Sequence, residues 1–213
     1  MKQFLRALGV IALSAFLFIL VLRVIPMHAY DGFESSYLSR LRWTDRRFEL
    51  GAVVFEGSVV RSGHRALAIT VHSGERSEAA SQSGGATERD ELMESWWLFS
   101  RTRRTYVYSF SLYLPTNFPQ TRERLVIAQW RQLSEGSPCI PDNSILAVRY
   151  EIGWLQITRN DEYGKTLLYQ GNEDVRGQWL DFRLVTRWDS TSKGTVDATL
   201  QGRGIVHYEG PTI

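Results

Sequence analysis

The 213-residue sequence predicts an all-β fold, a jelly-roll β-sandwich of the concanavalin type. Three observations carry that reading. Short stretches alternate apolar and polar residues with a period of two. Polar and glycine-containing turns separate those stretches. Beyond the N-terminus no long stretch has helical periodicity, and no repeat of fixed period occurs. Many short strands joined by polar turns assemble most readily as two packed sheets. Aromatic residues make up 12% of the chain, with seven Trp, ten Phe and nine Tyr, a composition that suits strands and opposes disorder.

Residues 1–29 read as an address. Lys2 and Arg6 precede an apolar run from Ala7 to Leu22, and Pro26 and Ala29 come after it. That order describes a secretory signal peptide cleaved after Ala29. The alternative is an uncleaved hydrophobic anchor helix, since Val24 and Ile25 lengthen the run. Either places residues 30–213 outside the cytoplasm, secreted or periplasmic in the first case and membrane-anchored facing outward in the second. Strands are expected at Phe48–Glu56 and Ala66–His72, then a flexible Ser/Gly-rich loop at Ser77–Gly85. A strand is also expected within Gly84–Ser95. Thr105–Leu114, TYVYSFSLYL, alternates cleanly and stops at Pro115. Arg124–Arg131 is the next strand. Ile145–Glu151 and Trp154–Thr158 flank Ile152-Gly153, a hairpin turn. Gln178–Trp188, Thr195–Leu200 and Gly204–Tyr208 complete the set.

Charge and cysteine content narrow the function. With 25 Lys and Arg against 23 Asp and Glu, the net charge is +2, and no bulk basicity points to nucleic acid. The single cysteine, Cys139, permits no intramolecular disulfide and no cysteine zinc cluster. It reads as a free thiol in a proline-flanked loop.

Three strands each carry a polar pair at i and i+2: Arg89 with Glu91, Gln129 with Arg131, and Arg149 with Glu151. Alternate residues of a strand share a face. Val126, Ala128 and Trp130 are then expected on the core face of the second strand. If the three strands are neighbours, the pairs form a floor of guanidinium and amide groups facing one groove. Such a floor suits an acidic sugar polymer, because guanidinium binds carboxylate or sulfate bidentately. Trp or Tyr rings stack on sugars. The alternative is three unrelated solvated faces.

The runs DGFES (Asp31–Ser35), GGATERDEL, SLYLP, RLVIAQW, LAVRY and RGQWLDFRLVTRW, in that order, resemble the heparin lyase I-like polysaccharide lyase family. More distantly they resemble the jelly-roll alginate and glucuronan lyases. Arg89, Glu91 and Leu92 match the central R-x-E-L pattern of those lyases. Gln129-Trp130-Arg131 matches their Q-x-H strand, with arginine in place of histidine. Their late Y-F-K-x-G-x-Y strand has no counterpart, which implies a chain truncated at its C-terminus. The resemblance implies β-elimination on a uronate polymer, and a monomer is expected. Arg89 and Gln129 would neutralise the uronate carboxylate. Glu91 would orient Arg89, with Arg131, Arg149 and Trp130 on substrate. His64 and Tyr150 are the local substitutes for base and acid. No cofactor and no metal site are expected, with calcium left open, and membrane contact only through the N-terminal segment. Two classes of function result: a lyase, and a non-catalytic carbohydrate-binding jelly roll that retains binding with weak or absent turnover.

Overall fold

In the computed structural model of the chain the described residues are 13–14, 28–74, 88–123, 125–132, 144–161 and 164–213, and for 44–47 the backbone alone. The N-terminal apolar run apart from Leu13 and Ser14, the stretch 77–85 and Cys139 lie outside them. Among the described residues, helix is confined to Leu13–Ser14 and one 3₁₀ turn, Trp96–Leu98. None of these is long and apolar enough to cross a membrane. The rest is strand and turn, as the alternating pattern requires. The chain forms two compact units, residues 1–99 and 100–213.

The first unit contains β1 (Trp43–Arg47), β2 (Val53–Glu56), β3 (Ala66–Ile69) and β4 (Glu91–Glu94), paired antiparallel as β1 with β4 and β2 with β3. The Asp31–Ser35 run acts as a clamp here. Asp31 accepts the Phe33 N–H at 2.9 Å and the Trp43 indole N–H at 2.8 Å. Phe33 stacks on Trp43 with centroids 6.0 Å apart. Glu34 accepts the His64 N–H at 3.0 Å. Gly63, at φ 71°, lies so close that a Cβ there would sit 1.9 Å from Glu34 Oε1. Only glycine tolerates both that backbone and that approach.

The expected strand at Phe48–Glu56 is shorter than its apolar run. Ala52 N–H donates to Glu49 C=O at 3.1 Å, and Gly51 takes φ 86°, so residues 49–52 turn before β2 begins. The charged sequence of β1, WTDRR, gives no strand signal of its own.

The second unit holds β5 (Thr105–Tyr113), β6 (Leu125–Trp130), β7 (Leu146–Glu151), β8 (Trp154–Asp161), β9 (Gly164–Gln170), β10 (Trp179–Arg187), β11 (Thr195–Leu200) and β12 (Arg203–Glu209). They form two antiparallel four-stranded sheets, β12-β11-β10-β5 and β6-β7-β8-β9. Leu180, Phe182, Leu184, Val196 and Ala198 from the first sheet meet Leu146, Val148, Tyr150, Leu155 and Ile157 from the second in one core. Phe110 stacks on Phe182 at 5.2 Å, and Tyr108 meets Trp130 edge-on at 5.3 Å. Burying each large apolar side chain contributes roughly 1.5–3 kcal/mol, so this shared core is what joins the sheets. Arg159 sits over the Tyr208 ring at 4.9 Å and donates to Pro211 C=O at 3.1 Å, which ties β8 to β12 and the segment after it.

Strand alternation is plain in β10, whose even-numbered residues from Leu180 to Thr186 are buried while their neighbours are more exposed. The Ile152-Gly153 turn is a two-residue hairpin with φ 49° and 89°, both positive as a primed turn demands. Its register puts Arg149 opposite Gln156 and Glu151 opposite Trp154. β9 has no counterpart among the strands expected from the sequence.

Candidate functional site

The β6-β7-β8-β9 sheet has a core face and a polar face, and the pairing assigns residues to each. Gln129 lies opposite Ala147, which lies opposite Thr158. Val126 lies opposite Arg149, which lies opposite Gln156. These rows form the polar face. Gln129 and Arg149 therefore sit on neighbouring strands of one sheet and share a face, as their spacing suggests. Arg131 comes just after the end of β6 and is half-buried.

The core-face expectation for β6 is corrected. The register shifts between Val126 and Ala128, so the inward residues are Leu125, Ala128 and Trp130 together with Ile127, and Val126 is 36% exposed. A bulge adds one residue to one strand and exchanges the faces of the residues beyond it. Trp130 packs against the core cluster, not on the face of Gln129.

Arg149 is only 3% exposed. Its Nε donates to Thr158 Oγ1 at 2.8 Å, and one terminal nitrogen reaches Ser144 Oγ at 3.5 Å. A charge this deep must be well solvated by protein groups. Beside it the polar face opens into a cavity of about 160 Å³, whose lining includes the side chains of Arg122, Arg149, Glu151, Gln156 and Lys165. Gln156 donates to Glu151 at 2.8 Å, which fixes both side chains. The lining thus holds three cationic groups and one carboxylate, and its net positive charge suits an anionic guest.

Tyr150 is fully buried, and its ring meets Phe118 edge-on at 5.1 Å within the core. Burial pushes its hydroxyl above the ordinary tyrosine range. A phenol held protonated in this way is not a ready base. The structure thus sets Tyr150 on the opposite side of β7 from Arg149.

The remaining expected residues belong to the first unit. Arg89 precedes β4 and pairs with Glu91, the first residue of β4, at 3.4 Å, both side chains being partly exposed. The expectation that Glu91 orients Arg89 has this contact behind it. The expectation of adjacent strands holds for Gln129 on β6 and Arg149 on β7, and among the described residues β4, which begins at Glu91, pairs with β1. His64 is exposed in a bend and is bound through its backbone N–H to Glu34. Among the described residues no group of three or more His, Cys, Asp or Glu side chains is arranged to hold a metal ion.

Sequence reasoning missed Arg122, Gln156 and Lys165. They come from a loop and two further strands, and only sheet register brings them together. Gln156 had a usable signal, because a two-residue turn at Ile152-Gly153 already sets it opposite Arg149.

The second unit is thus a two-sheet all-β core with a small cationic cavity on one sheet face. Residues 33–213 match the family model described as polysaccharide lyase, and the chain belongs to that family. Among solved structures, it is similar to the endo-β-1,4-glucuronan lyase from the fungus Trichoderma reesei, with a TM-score of 0.61 and 18% identity. The match covers 78% of this chain and 71% of that one, and at this identity it speaks for the fold. No curated protein sequence matches.

Proposed function

We propose that this chain is a lyase that binds an acidic, uronate-containing polysaccharide and cleaves it by β-elimination outside the cytoplasm. The carrying observation is the cavity beside buried Arg149, where Arg122, Lys165 and Gln156 converge on the face that also bears Gln129. Family membership supports the reaction class. The resemblance to heparin lyase I-like enzymes supports the uronate substrate.

The chemistry stems from the weak acidity of the proton at C5 of a uronate. Neutralising the adjacent carboxylate favours the carbanion-like transition state. A base removes that proton. Its electron pair forms the C4–C5 double bond as the C4–O bond breaks, and an acid protonates the departing glycosidic oxygen. In this reading Arg149, Arg122 and Gln129 receive the carboxylate. Arg131 and Lys165 hold flanking acidic residues.

The test tracks absorbance of the unsaturated uronate product with heparin, alginate and glucuronan each offered as substrate. Product from one polymer is the expected result, and binding to none of the three would overturn the reading. His64→Ala then tests the base and Tyr150→Phe the acid. Loss of turnover with intact binding marks either, because each acid or base contributes roughly 10²–10⁴-fold. A second reading, a binding module without turnover, is favoured by the placement of Tyr150 in the core. It predicts polymer binding with no change in absorbance.

A further inference from the structure

The outer face of the β12-β11-β10-β5 sheet lies on the far side of the second unit's core from the cavity. Strand pairing puts Trp179 opposite Tyr113, Asp181 opposite Ser111 and Arg183 opposite Ser109. All six alternate with core residues such as Leu180, Phe182 and Phe110, so they point away from the core. The Tyr113 and Trp179 rings lie 5.5 Å apart at 45°. Neither packs against the hydrophobic cluster, unlike Tyr106, Tyr108 and Phe110 of the same sheet.

The polar groups beside this pair are fixed. Ser111 donates to Asp181 at 2.7 Å. Gln201 donates its amide to Trp179 C=O at 2.6 Å and accepts the Asp181 N–H at 3.4 Å. At about 3.4 Å per residue, Asp181 lies roughly 7 Å beyond the rings along β10, and Arg183 roughly 14 Å beyond them. Arg183 is exposed.

We infer that this face is a second glycan-binding track, distinct from the cavity, on which one sugar stacks against Trp179 and Tyr113. The next sugar hydrogen-bonds to Asp181 and Gln201, and an acidic group meets Arg183. Each component suits one feature of an acidic polysaccharide. Tilted rings cover the apolar face of a pyranose. Preset carboxylate and amide groups read hydroxyls with little ordering cost. An exposed guanidinium pairs with carboxylate or sulfate. A purely structural cross-strand aromatic pair would stabilise the sheet and bind nothing. The inference rests on the proposed polysaccharide substrate. Its benefit is multivalent: a long polymer engages track and cavity together, and a short oligosaccharide engages one at a time.

The experiment uses the full chain. The probe is whichever of heparin, alginate and glucuronan the wild-type chain binds most tightly, offered as polymer and as its tetrasaccharide. Trp179→Thr and Tyr113→Thr remove the rings and put strand-favouring β-branched residues in their place. Each is expected to weaken polymer binding in affinity electrophoresis about tenfold, with tetrasaccharide turnover at the cavity unchanged. Unchanged polymer affinity with unchanged turnover overturns the inference. Should either variant fail to fold, the indole N–H resonance of Trp179 in the wild-type chain decides. It shifts on tetrasaccharide addition if the track exists. It stays fixed while the Gln156 side-chain amide shifts if the cavity is the sole site. Wild-type binding to none of the polymers overturns both this inference and the proposed substrate, whereas intact cavity turnover with an inert Trp179 overturns this inference alone.

Discussion

The cavity separates binding from stability, because its cations differ in depth. Arg122 and Lys165 are exposed, and Arg149 is 3% exposed with Thr158 as a fully buried partner. Two unit charges 4 Å apart interact by about 1 kcal/mol in water and about 4 kcal/mol at an effective dielectric of 20. The exposed pair belongs near the aqueous limit, so each charge is worth roughly fivefold in affinity. The double variant Arg122→Ala/Lys165→Ala should bind an acidic polymer roughly thirtyfold more weakly at about 0.01 M salt, where screening is slight. The deficit should shrink at about 0.15 M. Its unfolding free energy in urea should stay within about 0.5 kcal/mol of wild type, since surface substitutions rarely exceed that. Arg149→Met behaves differently. It also loses binding, but it leaves the buried Thr158 Oγ1 without its guanidinium donor, at a cost of about 1–3 kcal/mol. Titration calorimetry against the polymer at both salts, with urea unfolding of each variant, checks all of this. A double variant that binds like wild type at low salt would refute the assignment of the cavity as the anion site.

Three further outcomes are expected. Gly153→Ala forces a Cβ into φ 89° and to within 3.4 Å of the Asp174 side chain, and should lower stability by about 1–2 kcal/mol in urea unfolding. Hydrogen bonds from Arg176, at 2.6 Å, hold the Asp174 carboxyl down at about 2 from its ordinary 3.8. Its contribution is therefore present above about pH 3.8 and lost as pH falls toward 2, and Asp174→Asn should blunt the acid limb of a stability–pH curve. Burial pushes Glu94 up to about 7 from 4.5, so its contribution is full below pH 4.5 and lost as pH rises through about 7. Glu94→Gln should flatten that limb and raise the thermal midpoint above neutral pH, and an unchanged limb would mean that another group titrates there.

What is legible in the chain is what depends on local alternation. TYVYSFSLY forms β5 at its expected start, because strict alternation along the strand admits one pleat. The Ile152-Gly153 turn sets the register of its own hairpin, so the Arg149–Gln156 row can be read from sequence once the turn is accepted. What is hidden depends on pairing between distant segments. The bulge after Val126 exchanges the faces of β6 without a glycine or proline to announce it. WTDRR becomes a strand because β4 supplies its partner, with Trp43 opposite Glu94 and Arg47 opposite Glu91, not because its residues favour one. β7 is a nearly continuous buried run, Leu146 to Tyr150, and Arg149 is buried with the rest although alternation puts it on the face away from the core. Its depth is the informative feature. An arginine is kept buried when hydroxyls and an adjacent cavity solvate it, and such a guanidinium is already ordered before any ligand arrives. The catalytic reading therefore gains more from Arg149 than from an exposed cation, since a preset donor needs little reorganisation as charge develops on a bound carboxylate.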